Sequence, residues 1–186
     1  MKDIYRKQVE LLLDVLEISL VDSRVALKGG TAINLFHRNF PRYSVDIDLC
    51  YLPIEDRETT FKNLHEILGK IKEKIEKDLG YNVKVTNPLD GKKETKLIVT
   101  KGKVEIKIEP NFTLRGSLYS PELKQLSQEA IKELGRDITI NCLNYADTYG
   151  GKMCAALDRQ HPRDLFDIKF LLEELLKKLK THFFFI

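Results

Sequence analysis

The chain has 186 residues, enough for one domain or for one domain with a helical extension and too few for two full domains. Apolar residues make up 42% of it, with nine Phe and seven Tyr, which supplies a core and excludes wholesale disorder. Charged residues are 32% of the chain, yet 31 basic against 28 acidic leaves only +3, so attraction to nucleic acid has to be local.

In chain order, residues 4–20 place Leu11, Leu12, Val15, Leu16 and Ile18 at helical spacing. Glu10, Asp14 and Glu17 interrupt that stretch, which makes it an amphipathic helix and excludes a signal peptide or a membrane span. Residues 25–27 read as a short strand ending at Gly29-Gly30. Thr31 then caps a helix with Ile33, Leu35, Phe36 and Phe40 on its face, stopped by Pro41. Residues 43–51 alternate as a strand, Val45, Ile47 and Leu49 against Ser44, Asp46 and Asp48. A long helix over 56–79 follows, with Phe61, Leu64, Ile67, Leu68, Ile71 and Ile75 on one face and Lys/Glu pairs on the other. Next come a strand at 81–85, a turn at 87–91, and a hairpin of 95–100 and 103–109 joined by Lys101-Gly102. Residues 110–120 read as loop and short helix, 138–142 as a last strand, and everything from Tyr145 as helix broken near His161-Pro162. Cys50, Cys142 and Cys154 are odd in number and lack CxxC spacing, which excludes a disulfide scaffold or a Cys-based zinc site and points to the cytoplasm.

Two acids separated by one strand residue share a face, so the carboxylates of Asp46 and Asp48 stand side by side with Ile47 behind them. Such a pair repels itself and suits a hard divalent cation shared with substrate phosphates, although a lone DxD is usually just solvent-facing. Here Gly29-Gly30-Thr31 precedes it, a turn that lets backbone N–H groups approach a phosphate at a helix start. A third carboxylate comes from the hairpin, where Glu105, Lys107 and Glu109 share a face; Glu109, at the strand end before Pro110, is the better candidate. Together these features point to metal-assisted phosphoryl or nucleotidyl transfer.

The run from Leu27 through Lys28-Gly29-Gly30-Thr31 to Asn34, followed by Arg42-Tyr43-Ser44-Val45-Asp46-Ile47-Asp48-Leu49, resembles the opening motif of the AbiEii-type nucleotidyltransferase toxins, a family of the DNA polymerase β-like superfamily. Lys107-Ile108-Glu109-Pro110-Asn111 with Arg115-Gly116 resembles that family's third-carboxylate strand. Tyr145-Ala146-Asp147 through Gly151-Lys152, then Arg159 and Arg163-Asp164-Leu165-Phe166-Asp167, is similar to its later lysine motif and Arg-Asp-x-x-Asp helix. The resemblance implies an α/β (α+β) fold, a mixed sheet covered by helices with a short C-terminal helical part. It implies that Asp46, Asp48 and Glu109 bind catalytic Mg²⁺ or Mn²⁺. Gly29, Gly30, Thr31 and Ser44 would hold nucleotide phosphates, Lys152 would neutralise their charge, and Asp164 would complete the acidic motif. Read without the resemblance, Lys152 is a snorkelling surface lysine and Asp164 a helix-starting acid.

The expected activity is transfer of a nucleoside monophosphate from an NTP to an acceptor hydroxyl, by resemblance that of RNA at a tRNA 3′ end, in a toxin with a cognate antitoxin. Seven lysines from Lys84 to Lys107, against Asp90, Glu94 and Glu105, give a local +4 suited to RNA. The alternatives are nucleotidyl transfer to an aminoglycoside-type small molecule and a truncated, catalytically idle binding module. Residues 1–144 form the expected core and 145–186 the helical segment, shorter than the family's usual C-terminal bundle and ending in an unmatched tail at 181–186. The fifteen residues between Gly30 and Asp46 are also long for the motif. Over 164–180, Leu165, Ile168, Leu172, Leu175 and Leu179 repeat beside Phe166, Phe170, Leu171 and Leu176. That band is wider than one sheet needs, so it calls for a missing helical bundle, a second copy of the chain, an antitoxin, or cover by Leu12, Leu16 and Leu20 of the first helix.

Overall fold

Alternation along the DxD strand decides which side of the sheet is core: Ile47, Leu49 and Tyr51 are fully buried, while Asp46, Asp48 and Cys50 point the other way. The computed structural model describes residues 2–86 and 95–183. Its elements are α1 (Lys2–Ser19), β1 (Val25–Lys28), α2 (Gly29–Thr31) running on into a π-helical segment (Ala32–His37), β2 (Asp46–Tyr51), α3 (Arg57–Leu79) and β3 (Asn82–Thr86). They continue with β4 (Lys96–Lys101), β5 (Val104–Asn111), β6 (Glu122–Gln125), α4 (Gln128–Leu134), β7 (Thr139–Cys142), α5 (Tyr145–Arg159) and α6 (Pro162–Phe183). The strands form one mixed sheet in the order β3-β4-β5-β2-β1-β7-β6, with β2 parallel to β5 and β1 parallel to β7.

The core lies on one face, where Leu97, Val99, Ile106 and Ile108 meet Leu11, Leu12, Val15 and Leu16 of α1 and Leu64, Ile67, Leu68, Ile71 and Ile75 of α3. α3 starts where Asp56 accepts the Thr59 N–H and ends at Gly80, left-handed at φ +67°. The hairpin turns at Gly102, φ +62°. Several expectations are corrected, among them the end of the second hairpin strand, which runs through Pro110 to Asn111 instead of stopping at Glu109. Thr31 is no cap: the helix begins at Gly29, and the Thr31 hydroxyl is spent on β2. The strand of residues 43–51 begins at Asp46, and residues 122–125 form an edge strand, β6, that alternating Glu-Leu-Lys-Gln barely announces. The helix carrying Ile33, Leu35 and Phe36 ends at His37, ahead of Pro41, with Phe40 left-handed at φ 55°.

The cover supplied by α1 to the C-terminal helix is also corrected, because Leu12 and Leu16 are committed to the sheet core. α6 instead packs on α5 and the π-helical segment through Leu171, Ile168, Tyr149 and Ile33. Arg38 fastens it there, donating to the Tyr149 hydroxyl and the Phe170 carbonyl and pairing with Glu174 at 3.2 Å. Its outer stripe, including Leu172 at 51% and Leu176 at 57% exposure, is left open. The turn at 87–91, Lys92, Lys93, Glu94, the side chain of Leu179, the side chains of residues 181–183 and residues 184–186 of the tail carry expectations that lie outside the described residues, while the backbone of 181–183 continues α6. Leu171→Ala should therefore cost about 2–4 kcal/mol in a urea titration, whereas Leu172→Glu combined with Leu176→Glu should stay within about 1 kcal/mol of the unmutated chain.

Candidate active site

The site grows from the close packing of a glycine turn on a carboxylate strand. Lys28 and Asp48 are direct partners across β1 and β2, and Gly29 follows with φ +74°. A Cβ on Gly29 would lie 2.0 Å from Asp48 Oδ2, and one on Gly30 would lie 2.9 Å from Ser44 Oγ and 3.2 Å from the Arg42 guanidinium. The two glycines are thus required by the approach of protein side chains, before any ligand is considered. The Thr31 hydroxyl bonds the Asp46 carbonyl and shares a hydrogen bond with Ser44, so Thr31 and Ser44 staple the turn to β2. Thr31 is fully buried, with its hydroxyl engaged by Ser44 and the Asp46 carbonyl.

On the neighbouring parallel strand, Glu109 is the register partner of Asp48 and Lys107 that of Asp46. All three carboxylates consequently lie on the open face of the sheet, and Asp48 and Glu109 line one recess of about 210 Å³ with Lys28, Asn111 and Thr113. Glu105 is exposed, four residues nearer the hairpin turn than Glu109 and opposite Thr100. Glu109 leans toward Lys96, 3.1 Å away. Among the described residues no three His, Cys, Asp or Glu side chains are gathered tightly enough to hold a metal ion as they stand. Burial, then the charge of Asp46, pushes the Asp48 carboxyl up to about 6 against the pull of Lys28. Burial and the nearby Glu109 raise Asp46 as well.

A second wall comes from α5 and α6. Lys152 is only 8% exposed, so it is no surface lysine. Its ammonium donates to Asp164 at 2.7 Å and lies 3.3 Å from Asp167. Arg159 holds the other oxygen of Asp164 at 2.7 Å, and Arg42 grips both oxygens of Asp167 at 2.9 and 2.6 Å. Asp164 and Asp167 are thereby enclosed by Lys152, Arg159 and Arg42, one cation in excess. Burial pushes Asp164 up, but the bonds from Arg159 and Lys152 outweigh it and hold its carboxyl below the ordinary value. The cleft between this network and the glycine turn has a volume of about 630 Å³ and is lined by Lys28, Gly29, Asp48, Gly151, Lys152 and Arg159 among others. The structure therefore separates the acids: Asp46, Asp48 and Glu109 on the sheet, and Asp164 across the cleft, salt-bridged to Lys152.

Four residues were given no role of their own in the sequence reading. Lys28 is legible from alternation, since it must share the face of Asp48. Arg42 and Asp167 form their pair across 125 residues, which no local pattern reveals. Asp147 accepts the N–H groups of Leu118 and Tyr119 and so anchors the loop beside the cleft.

A mixed sheet with a glycine turn, a DxD strand and a third acid on the adjacent parallel strand is the fold of the polymerase β-like nucleotidyltransferases. Within that class the chain belongs to the family described as nucleotidyl transferase AbiEii toxin, type IV toxin–antitoxin system, which it matches over residues 10–183. Its fold is similar to that of MenT4, a nucleotidyltransferase toxin from Mycobacterium tuberculosis H37Rv, with a TM-score of 0.59 and 22% identity over 87% of this chain. The chain spans 58% of the length of that protein. A more distant similarity, TM-score 0.45 and 18% identity over 95% of this chain and 97% of the other, is to ANT(2″)-Ia in complex with adenylyl-2″-tobramycin. No curated protein matches the chain.

Two stability effects of opposite sign follow from these charges. A carboxyl raised in the folded state favours folding below its unfolded value of 3.8 and loses that contribution as pH rises through about 6. Asp48→Asn should thus raise the thermal midpoint at pH 8, by the equivalent of about 1–3 kcal/mol, and the gain should shrink toward pH 4. Asp164, lowered in the folded state, contributes above its unfolded value and loses that contribution as pH falls. Lys152→Met, which strips a buried partner from Asp164, should cost about 3 kcal/mol at neutral pH by chemical denaturation. Lys169→Met, from an exposed pair with Glu173, should cost under about 0.5 kcal/mol.

Proposed function

We propose that this protein transfers a nucleoside monophosphate from an NTP to a hydroxyl at the 3′ end of an RNA, a tRNA in the first instance, and acts as the toxin of a pair with a cognate antitoxin. The observation that carries this reading is the register pairing of Asp48 with Glu109 on the open sheet face, against the Gly29 turn and facing Lys152 across the cleft. The donors suit a hard divalent cation, Mg²⁺ or Mn²⁺, since Asp46, Asp48 and Glu109 offer only carboxylate oxygens, and burial together with their mutual repulsion raises Asp46 and Asp48. Once bound, such an ion supplies charge neutralisation at the phosphates and a lowered pKa for the acceptor hydroxyl.

The chain's own residues do the positioning. Asp164 and Asp167 fix Lys152 from behind, so its ammonium meets the triphosphate without first being ordered. Lys28 and Arg159 add positive charge on the two sides of the cleft, where a triphosphate brings several negative ones. Gly151 on α5 leaves open space for a ligand beside Lys152. The acceptor oxygen attacks the α-phosphorus, and pyrophosphate departs toward these cations. The open stripe on α6 supports a further interface with a second copy of the chain or with the antitoxin. No helix among the described residues is long and apolar enough to cross a membrane.

Incubation with labelled NTPs, Mg²⁺ and total tRNA should label RNA, and Asp46→Asn should abolish labelling while leaving the fold intact by circular dichroism. Labelling of an aminoglycoside in place of RNA would transfer the reading to a small-molecule acceptor. Undiminished turnover in Asp46→Asn would remove the DxD strand from the mechanism.

A further inference from the structure

Register assigns every side chain of β3, β4 and β5 to one of two faces. Leu97, Val99, Ile106 and Ile108 enter the core, and both helices packed on these strands, α1 and α3, lie on that side. The opposite face carries Asn82, Lys84, Lys96, Ile98, Thr100 and Lys107, and among the described residues no helix covers it. Its pairing forms a row perpendicular to the strands: Asp46 on β2 is opposite Lys107, Lys107 opposite Ile98, and Ile98 opposite Lys84. Lys96 stands beside this row, bonded to Glu109 and still 43% exposed. The far edge opens into a hollow of about 490 Å³ lined by Asn82, Lys84 and Thr100. Glu105, opposite Thr100, is the remaining acid on this face. Lys101 belongs to the other side, where it pairs with Asp14 at 2.9 Å. The lysines of this segment are thus sorted by the sheet, and Lys84, Lys96 and Lys107 are the ones that share the face of the DxD pair.

We propose that this open face is the platform on which the single-stranded end of the acceptor RNA lies, its backbone on Lys107, Lys96 and Lys84 and a base over Ile98, so that its terminal hydroxyl is delivered to Asp46 and Asp48. The proposal rests on the nucleotidyl-transfer reading and adds to it the surface and the strandedness of the acceptor. From β2 to β3 is three strand spacings, about 14 Å, the length of roughly four stacked nucleotides. Lysines flanking an apolar spot match a polyanion with sequence-tolerant bases, because phosphates bind the cations while any base covers the isoleucine. Strandedness follows from the apolar centre of the row: Ile98 can meet the face of a base only where bases are unpaired and splayed, whereas a duplex would present it with sugar and phosphate.

The test measures binding of a short single-stranded oligoribonucleotide to the full chain by fluorescence anisotropy across a salt series. Lys84→Glu combined with Lys107→Glu should raise Kd at least about tenfold and lower the slope of log Kd against log salt by about 1.4, two phosphate contacts at the single-strand value. NTP affinity should not change. Lys74→Glu combined with Lys77→Glu alters the net charge equally on the exposed side of α3 and should leave RNA affinity near that of the unmutated chain. Equal weakening by the two double variants, or by neither, overturns the platform, and a duplex bound as tightly as the single strand overturns the strandedness. An unmutated chain that binds NTP and no RNA at low salt removes the platform while leaving nucleotidyl transfer standing. One that binds no NTP removes the underlying reading instead.

Discussion

The carboxylate of Asp48 occupies space that any side chain on Gly29 would need, and the surrounding structure is arranged to keep it there at a cost. An acid pushed to about 6 by burial and by its neighbour Asp46, against the pull of Lys28, is held in place by its surroundings: Ile47 and Leu49 anchor β2 in the core, and Thr31 ties the glycine turn to the Asp46 carbonyl. Stored repulsion of this kind suits a site whose ligand brings positive charge with it. The apolar face of the sheet therefore pays for the polar one.

Opposite the sheet, the logic reverses. Asp164 and Asp167 are buried yet fully provided with cations, and their carboxylates serve to fix Lys152, Arg159 and Arg42. Arg42 leads into β2 and Asp167 sits on α6, so a single bidentate pair sets the distance between the loop before the DxD strand and the C-terminal helix. The cleft is thus an anionic wall on a sheet facing a cationic wall on helices, joined along one side by the glycine turn.

Much of this was readable along the chain, because period-2 and period-3.6 patterns report burial directly. The faces of β2 and β5 and the stripe of α3 emerged from alternation alone; the strand end expected at Glu109 did not hold, since β5 continues through Pro110 to Asn111, and what distinguishes Glu109 from Glu105 is its pairing with Asp48. What could not be read depends on pairing between distant segments. The Arg42–Asp167 bridge, the burial of Lys152 behind Asp164, and the commitment of α1 to the sheet instead of α6 are all facts of tertiary packing. Thr31 misled for a local reason: a threonine after Gly-Gly looks like a cap, and only the approach of Ser44 and Asp46 shows where its hydroxyl goes. β6 was missed because an edge strand with both faces half open has no strong alternation to show.

The π-helical segment sets the rotational phase between two halves of the molecule. Its wide turn is closed where the Arg38 N–H reaches the Ile33 carbonyl at 2.8 Å, five residues back, one more than an α-helical turn would hold. That extra residue lets Leu35 and Phe36 face the sheet core while Ile33 faces Tyr149 and Leu171, and it delivers Arg38 to α6. It also absorbs part of the unusual length between Gly30 and Asp46. Removing one residue from 32–37 would relax the helix locally and turn everything after it by about 100°. Asn34 would leave Asp167, Arg38 would leave Phe170, and the two walls of the cleft would lose their common phase. The apparent irregularity thus acts as a gear tooth, and in this segment a deletion would do more harm than most substitutions.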